Sequence, residues 1–287
     1  MEISAELVKT LRDKTNCGFM DCKKALKETD GDMEKAVTYL RQKGIAVAGK
    51  RAERATSEGV VVATISPDGL NGVLLEVNCE SDFVGKTDAF QDFAAKLAAQ
   101  IAATAAGEVP ELLAQPWQPQ PGITVQDYLN ELIGQTGENI RVRRFTHYQG
   151  GGAVGAYIHF GGRIGVIVEL SSAQAAPELT ALAKDLAMHA AATNPIAVSR
   201  EDVDSKVIAQ ETEIYQAQAR ESGKPEKIID KMVTGRLDKF FKDACLQEQP
   251  FVKNPDTTVG QLLQEAAKTC GGELRVVRFT RYQLGAA

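Results

Sequence analysis

The chain has 287 residues, of which 44% are hydrophobic and 25% are charged, and its formal net charge is −5. This is the composition of a globular protein of two or more domains, and the acidic balance argues against nucleic acid as the main partner, because neutralising phosphates requires clustered Lys and Arg. No apolar run reaches the ~18 residues of a membrane span, no secretory signal opens the chain, and the five cysteines form neither a disulfide framework nor a CxxC metal site. We therefore expect a cytoplasmic protein with reduced thiols that needs no membrane, nucleic acid or metal.

The first segment, residues 3–43, carries three apolar patterns at helical spacing, which predict three short helices. Breaks at Asn16-Cys17-Gly18 and Asp30-Gly31-Asp32 separate them, and Asp32 is suited to be an N-cap. Gly44 is suited to end the third helix, and Ala46–Glu58 then reads as a basic tether. Residues 1–55 are therefore predicted to form a small domain with its tether.

Lys23 and Lys24 lie on the second predicted helix, whose other face is apolar. A solvated lysine face is the usual outcome for such a pair, and contact with a partner is the alternative.

The chain then contains an internal repeat. Residues 124–149 align without a gap on residues 258–283, with 12 identities at 26 positions. Each copy begins with a Thr followed three residues later by Asp127 or Gln261, a pattern that resembles the capping box at the start of a helix. Gly137 in the first copy and Gly271 in the second stand where that helix would end. A strand ending in R-F-T-x-Y-Q follows in both copies.

The repeat extends upstream, where Gly72–Val77 matches Gly165–Leu170 at an offset of 93. A β-rich run precedes each of these two segments. The connecting turn contains P-D-G in the first half and G-G in the second, so we predict one hairpin in each half. A helical pattern follows both at an offset of 89. Each half is thus predicted to be a strand, strand, helix, helix, strand unit, and the fold class is α+β with a duplicated core of antiparallel sheets, residues 56–151 and residues 152–194 with 248–287.

The change of offset from 89 to 134 shows that the second half carries 45 additional residues, between about Asn194 and Thr258. Apolar residues recur there at helical spacing, interrupted by Ser222–Pro225. We predict an antiparallel helical hairpin over residues 195–247.

The smaller change, from 93 to 89, gives the first half four extra residues between strand and helix, in the segment Ser81-Asp82-Phe83-Val84. The second half has Ala175 and Ala176 opposite Asp82 and Phe83. One interpretation makes Asp82 a helix cap and Phe83 a buried side chain beneath that helix. The other is a rigidly mounted protrusion that inserts an aromatic ring and a carboxylate into a partner.

Other recurring or unusual residues have structural interpretations. His189 lies opposite Gln100 of the first half, and a polar residue in both copies favours a solvent-facing position, with contact with a partner as one role for such a residue. Trp117 is interpreted as a loop anchor. A structural role, for example a charge–dipole interaction or pairing with a carboxylate, is favoured for four arginines that recur in both halves: Arg141, Arg144, Arg275 and Arg278.

Catalytic and nucleotide-binding motifs are missing from the sequence. It contains no G-x-x-x-x-G-K-[ST], no H-x-x-x-H and no G-x-S-x-G. Its one G-x-G-x-x-G, Gly150–Gly155, follows a predicted strand but leads into another β-rich run, whereas a dinucleotide-binding loop leads into a helix. No acid at metal-ligand spacing accompanies the three histidines. The sequence therefore favours a binding protein over an enzyme, with no catalytic residues, cofactor or metal.

Five stretches in this order resemble bacterial elongation factor Ts: C-G-F-M-D-C-K-K-A-L at 17–26, E-V-N-C-E-S-D-F-V at 76–84, G-E-N-I-R-V-R-R at 137–144, M-H-A-A-A-T-N-P at 188–195 and S-G-K-P at 222–225. The resemblance covers essentially the whole chain. It implies a guanine-nucleotide exchange factor for elongation factor Tu, with a ubiquitin-associated-like N-terminal domain, a two-part core and a coiled-coil excursion.

The resemblance also implies residue roles. Ser81, Asp82, Phe83 and Val84 would disturb magnesium binding in elongation factor Tu, with Ser81 standing where Thr is common in the family. Further contacts with the partner, in its GDP-bound and nucleotide-free states, are expected from Thr136, Gly137, His189, Lys23 and Lys24. The chain itself would bind no nucleotide.

Two other functions are open at this point. Two strands of the form R-V-x-R-F-T-x-Y-Q mix arginine with aromatics, as in nucleic-acid-binding modules. The three-helix unit suggests a ubiquitin-like adaptor, which would leave the duplicated core and Ser81–Val84 unexplained.

Overall fold

The computed structural model describes residues 3–15, 17–104, 106–150, 152–171, 176–221, 225–270 and 272–286. Within these ranges the helices are α1 (Ala5–Thr15), α2 (Phe19–Glu28), α3 (Met33–Arg51), α4 (Asp82–Gly85), α5 (Asp88–Ala103), α6 (Val109–Ala114), α7 (Val125–Thr136), α8 (Pro177–Thr193), α9 (Ser205–Glu221), α10 (Glu226–Ala244) and α11 (Val259–Cys270). The strands are β1 (Glu58–Ile65), β2 (Asn71–Cys79), β3 (Ile140–Gln149), β4 (Gly152–His159), β5 (Ile164–Ser171), β6 (Pro250–Phe251), β7 (Asn254–Thr258) and β8 (Val276–Gln283). In the described part of the chain, none of the helices has the length and apolarity to cross a membrane.

The predicted α+β class with antiparallel sheets is confirmed. The first half forms a sheet of order β1-β2-β3 and the second a sheet of order β4-β5-β8, and all neighbouring strands are antiparallel. Both predicted hairpins are present. Even the irregularities repeat, because the register shifts directly after the pair Glu76↔Arg144 in one sheet and after Glu169↔Arg278 in the other.

The central strands β2 and β5 are buried along nearly their whole length. One face of each sheet is covered by helices, α5 to α7 over the first sheet and α8 with α11 over the second. The other faces pack on each other around Val61, Leu74, Val154 and Ile167. Near-continuous apolar runs such as Gly72–Val77 follow from this two-sided burial.

Two glycines set how closely the sheets approach. A Cβ on Gly72 of β2 would lie 2.7 Å from Val154 Cγ1, and a Cβ on Gly165 of β5 would lie 2.5 Å from Val61 Cγ1. The two glycines occupy equivalent positions of the repeat. At each of them, the missing side chain leaves space that side chains of the opposite sheet fill.

Reciprocal polar contacts surround this apolar centre. Tyr148 Oη lies 2.7 Å from Thr280 Oγ1, and Tyr282 Oη lies 2.6 Å from Thr146 Oγ1. The Tyr and Thr of one half are therefore paired with the Thr and Tyr of the other, about an approximate two-fold axis.

Two arginines complete the reciprocal contacts. Arg144 Nε donates to Glu76 Oε2 at 2.7 Å while its guanidinium stacks on Tyr282. Arg278 makes the same two contacts, with Glu169 at 2.6 Å and with Tyr148. Carboxylate pairing is thus confirmed for these two recurring arginines. Arg141 and Arg275 are exposed instead.

The N-terminal segment forms the three predicted helices α1 to α3 around its own apolar cluster. Asp30 and Gly31 have left-handed backbone conformations, and the Asp32 carboxylate accepts from Lys35 N at 3.0 Å as the predicted N-cap. Asn16, part of the first predicted break, lies outside the described residues.

The prediction that Gly44 ends the third helix is wrong. Helix α3 continues to Arg51, so most of the predicted tether is helical, and Val47 and Ala48 pack against the core of the first half. Gly44 is retained for space, since its Cα lies opposite Gly134 of α7 and a Cβ there would be 3.0 Å from the carbonyl oxygen of Asn130. Tertiary packing overrides the low helix propensity of glycine. The boundary at residue 55 stays a prediction.

The inserted segment contains α9 and α10, which lie side by side in a hairpin. Arg236 of α10 hydrogen-bonds Gln218 and lies over the ring of Tyr215, both on α9. Arg200 fixes the base of the hairpin through ion pairs with Glu248 and Asp238. The predicted break at Ser222-Gly223-Lys224 and the predicted helix stop at Gly271 lie outside the described residues.

The crossing of α3 and α7 predicts opposite effects for two substitutions in one helix. Gly49→Ala, with nothing within 4 Å of the added carbon, should raise the free energy of unfolding by up to ~1 kcal/mol through helix propensity. Gly44→Ala gains the same propensity but crowds Asn130 O, so we expect a net loss of about 1 kcal/mol. Thermal unfolding of both variants tests this. Equal stabilisation by both would show that α3 does not pack tightly on α7.

Candidate functional site

The segment Ser81–Gly85 forms a separate one-turn helix, α4, between β2 and α5. Ser81 caps it, with Oγ accepting from Val84 N at 3.3 Å. Thr87 then caps α5, with Oγ1 accepting from Phe90 N at 3.4 Å. Asp82 therefore caps neither helix, and the interpretation of this residue as the cap of the following helix is wrong.

Phe83 is 81% exposed, the most exposed of the large hydrophobic side chains in the described residues. Its neighbours are anchored, because Val84 packs against the first-half core and Gly85 is buried against Gly59 and Cys79 Sγ. The interpretation of Phe83 as a side chain buried beneath the helix is thus excluded. Its ring contributes little to the core, since burial would be needed to gain the ~1.5–3 kcal/mol that a Phe side chain supplies.

Asp82 precedes Phe83 in the chain, and its carboxylate pairs with Lys86 Nζ at 2.5 Å. That hydrogen bond holds the pKa of Asp82 below its usual range, and the charge of Arg163 acts in the same direction. Asp82 is therefore ionised at neutral pH, and α4 carries an exposed aromatic ring and, at the preceding residue, a carboxylate paired with Lys86.

A pair of glutamates clamps α4 to the turn between α7 and β3. Glu138 accepts from Ser81 N at 2.9 Å and from Ser81 Oγ at 2.6 Å. In the opposite direction, Glu80 accepts from Asn139 N at 2.7 Å, and this bond lowers the pKa of Glu80. The Asn139 side chain in turn donates to Arg54 O at 2.8 Å.

The sequence analysis missed Glu138, although a signal was present. At the offset of 134 its counterpart is Gly272, a loss of the carboxylate within an otherwise similar stretch. In its sequence, the second half is four residues shorter where the first half has Ser81–Val84, and it also lacks the carboxylate at the position of Glu138.

The structure brings Thr136 and Gly137 next to α4. Gly137 is the left-handed C-cap of α7 with φ of 73°, and Thr136 Oγ1 donates to Leu132 O. Both residues are half-buried and directly precede Glu138. The sequence predictions for Ser81–Val84 and for this turn therefore fall on one continuous surface.

Lys23 and Lys24 lie on α2 and are exposed. Phe19 and Met20, also exposed, precede them on the same helix. The lysines belong to the N-terminal helices rather than to the surface around α4.

The expectation that His189 and Gln100 face solvent is wrong, because both side chains are buried. His189 Nε2 lies 2.9 Å from Gln249 Oε1, and its Nδ1 accepts from Val252 N at 3.2 Å. Gln100 Oε1 accepts from Gln118 N at 3.1 Å in the same manner. Each polar residue is satisfied by the backbone of the chain that crosses its helix, which is why burial is tolerated.

This equivalence extends the repeat. Gln115-Pro116-Trp117 and Gln249-Pro250-Phe251 match at the offset of 134. Trp117 is buried and stacks on Tyr128 with ring centroids 5.0 Å apart, which agrees with its interpretation as an anchor. The short Q-P-aromatic match in the sequence could have indicated that the segments crossing these two helices are equivalent.

Within the described residues, neither metal binding nor a reactive thiol beneath α4 is supported. No cluster of three or more His, Cys, Asp or Glu there could hold a metal ion. Burial raises the pKa of Cys79, beneath α4, to about 12, so this thiol is not a nucleophile at neutral pH. The site consists of an exposed aromatic ring and a carboxylate on a helix that is anchored to the core.

Comparisons with known proteins agree with the resemblance noted in the sequence. Residues 80–286 match the family model described as Elongation factor TS. An elongation factor Ts of Trichlorobacter lovleyi is 47% identical over 290 residues, covering 99% of this chain and 93% of the relative. Those of Clostridium novyi and Clostridium perfringens are 45% and 46% identical over 284 residues, with the same coverage.

The glutamate clamp predicts a local effect of Glu138→Ala. Losing the two hydrogen bonds to Ser81, worth about 1.5 kcal/mol together at this half-buried position, should raise amide hydrogen exchange at Ser81 by roughly 10-fold. Amides of β2 serve as the internal control and should keep their exchange rates. Unchanged exchange at Ser81 would show that Glu138 does not hold α4.

Burial lowers the pKa of His189, so its protonation opposes folding. Below pH ~6.5 the unfolded chain binds a proton there that the folded protein does not, and the free energy of unfolding should fall by up to ~1.4 kcal/mol per pH unit from this group. His189→Gln introduces the residue that the first half uses at this position. It should remove that part of the pH dependence between pH 7 and 5 at a cost below ~1 kcal/mol at pH 7.5. His147, whose pKa burial also lowers, is present in both proteins and cancels. Identical pH profiles would contradict the assignment.

Proposed function

Because the chain belongs to the elongation factor Ts family, we propose that it is a guanine-nucleotide exchange factor of translation elongation that binds elongation factor Tu in its GDP-bound and nucleotide-free states. It promotes release of GDP so that GTP can bind. The chain performs no covalent chemistry and requires no cofactor, metal or bound nucleotide of its own.

The observation that carries this proposal is the exposure of Phe83 on a clamped support. An aromatic side chain that is 81% exposed and anchored on both sides is the kind of residue that dominates protein interfaces. The second half builds the same sheet and helix layers, although its sequence is four residues shorter between strand and helix and has no aromatic residue there. The fold therefore does not require Phe83, and a partner gives a reason for its presence.

Exchange follows from linkage between two binding events. If the chain binds nucleotide-free elongation factor Tu more tightly than the GDP form by some factor, it weakens GDP binding by the same factor. In such GTPases magnesium bridges the phosphates and a P-loop hydroxyl. We propose that Phe83 displaces apolar groups near that site, with Asp82 beside it as a negative charge, and that phosphate neutralisation is thereby lost.

The remaining predicted contacts extend this surface unequally. Thr136 and Gly137 adjoin α4 through Glu138, which supports a shared contact area. Lys23 and Lys24 are exposed and available for a second contact through the N-terminal helices. His189 is buried, so it would reach a partner only if the segment containing Gln249 and Val252, which hydrogen-bonds to it, moved away.

The finer assignment of domains is part of the same proposal. Helices α1 to α3 would be the ubiquitin-associated-like domain within residues 1–55, and α9 with α10 the coiled-coil excursion within residues 195–247. The duplicated core, residues 56–151 and residues 152–194 with 248–287, would carry the exchange surface.

The nucleic-acid alternative loses its main support. Arg144 and Arg278 of the two R-V-x-R-F-T-x-Y-Q strands are held by Glu76 and Glu169 and stack on Tyr282 and Tyr148. Their mixture of arginine and aromatic residues serves the contact between the two sheets.

Phe83→Ala separates the functional from the structural role of this ring. Because Phe83 is exposed, the free energy of unfolding should change by less than about 1 kcal/mol. Catalysed release of fluorescent GDP from elongation factor Tu should fall by roughly 10-fold or more, since an interface anchor commonly contributes 2 kcal/mol or above. Asp82→Ala should reduce release in the same direction but less.

Stopped-flow GDP release and thermal melts are measured on the same preparations, with Ile214→Ala on α9 as the matched exposed-apolar control. That control should keep full exchange. A wild-type chain that fails to accelerate GDP release would refute the proposed function, and Phe83→Ala with full activity would refute the assignment of this residue.

A further inference from the structure

A second aromatic ring is almost as exposed as Phe83. Phe160, at the turn between β4 and β5, is 73% exposed. The corresponding turn of the first half, Pro67-Asp68-Gly69, carries no aromatic residue. Like α4, this ring therefore distinguishes the two halves.

The backbone of Phe160 is in an unfavourable conformation. Its φ is 49°, in the left-handed region that bulky side chains rarely adopt. Gly161 and Gly162, which follow it, also have positive φ, as glycine readily does. Neither burial nor turn geometry accounts for a phenylalanine here, and such strain is most often retained at binding sites.

The ring is held in place by its neighbours. The rings of His159 and Phe160 have centroids 3.9 Å apart, and His159 Nδ1 is hydrogen-bonded to Tyr157 Oη at 3.0 Å. A ring restrained in this way loses less conformational freedom on binding than a mobile one.

The Phe160 turn and the α4 segment lie beside the same short stretch of β1. Gly162 O accepts from Val61 N at 2.7 Å, and Arg163 pairs with Glu58 at 3.0 Å. On the α4 side, a Cβ on Gly85 would lie 3.4 Å from Gly59 Cα. Residues 58–61 are therefore flanked by both segments.

An electrostatic interaction between Arg163 and Asp82 also indicates that the Phe160 turn lies near α4. Arg163, three residues after Phe160, contributes to lowering the pKa of Asp82. The two exposed rings thus belong to neighbouring segments of one surface, although they come from different halves of the core.

We propose that Phe160 is a second aromatic contact, which together with Phe83 forms a two-ring surface that binds elongation factor Tu during exchange. This inference rests on the proposed function. The occupant is the partner of Phe83, because a protein that covers α4 over an interface of ordinary size, ~800 Å² on each side, extends over the adjacent turn as well.

The test uses the full chain with Phe160→Gly, which removes the ring and relieves the backbone, and Phe160→Leu, which keeps an apolar side chain. For Phe160→Gly the melting temperature should be unchanged or raised, while the concentration needed for half-maximal GDP release rises about 3- to 10-fold. Phe160→Leu should lie between that variant and wild type. Combining Phe160→Gly with Phe83→Ala should reduce release further than either change alone.

Three results would overturn the inference. Full exchange by Phe160→Gly, in an assay where Phe83→Ala is defective, would refute the role of Phe160 and leave the proposed function intact. A marked fall in melting temperature would make Phe160 a structural residue. Self-association of the wild-type chain that Phe160→Gly abolishes, with exchange unaffected, would assign the ring to a contact between two copies. Lack of exchange by the wild-type chain would instead refute the proposed function.

Discussion

The close packing of the two sheets is the contact on which the rest of the molecule depends. Gly72 and Gly165 leave room for side chains of the opposite sheet, and the reciprocal Tyr–Thr hydrogen bonds fix the relative position of the halves. Because one face of each sheet is used in this contact, helices must cover the other. The same packing sets the β4–β5 turn against β1, so that segments far apart in sequence become one surface.

The binding surface that we propose lies where the two copies of the duplicated unit differ. The first half has α4 and Glu138, whereas the second half has Gly272 at the position equivalent to Glu138. The second half has Phe160 at a turn that carries no aromatic ring in the first. A symmetric scaffold supplies rigidity to both, since α4 is mounted between a strand and a helix, the Phe160 turn is mounted between two paired strands, and loops on a rigid scaffold are well positioned for binding. The residues proposed to bind the partner are therefore not those that hold the fold together, so we expect substitutions in one set to have little effect on the other.

The errors of the sequence predictions have one physical origin. Gly44 has poor helix propensity, yet α3 continues through it because a close approach to α7 requires a residue without a side chain. His189 is polar and recurs as Gln100, yet both are buried because backbone groups of a crossing segment satisfy them. In both cases a local property suggested one outcome, and a contact distant in sequence decided the other.

Internal repetition and periodicity alone determined the α+β class, the two hairpins, the inserted helices and the unusual status of Ser81–Val84. These features depend on residues close in sequence or on comparison of one half with the other. Only the tertiary structure decided that Phe83 is exposed, that Glu138 holds Ser81, and that Phe160 lies near α4. Exposure and contact across 57 residues of chain, as between Ser81 and Glu138, depend on how the layers pack, and no local pattern of side chains encodes that distance.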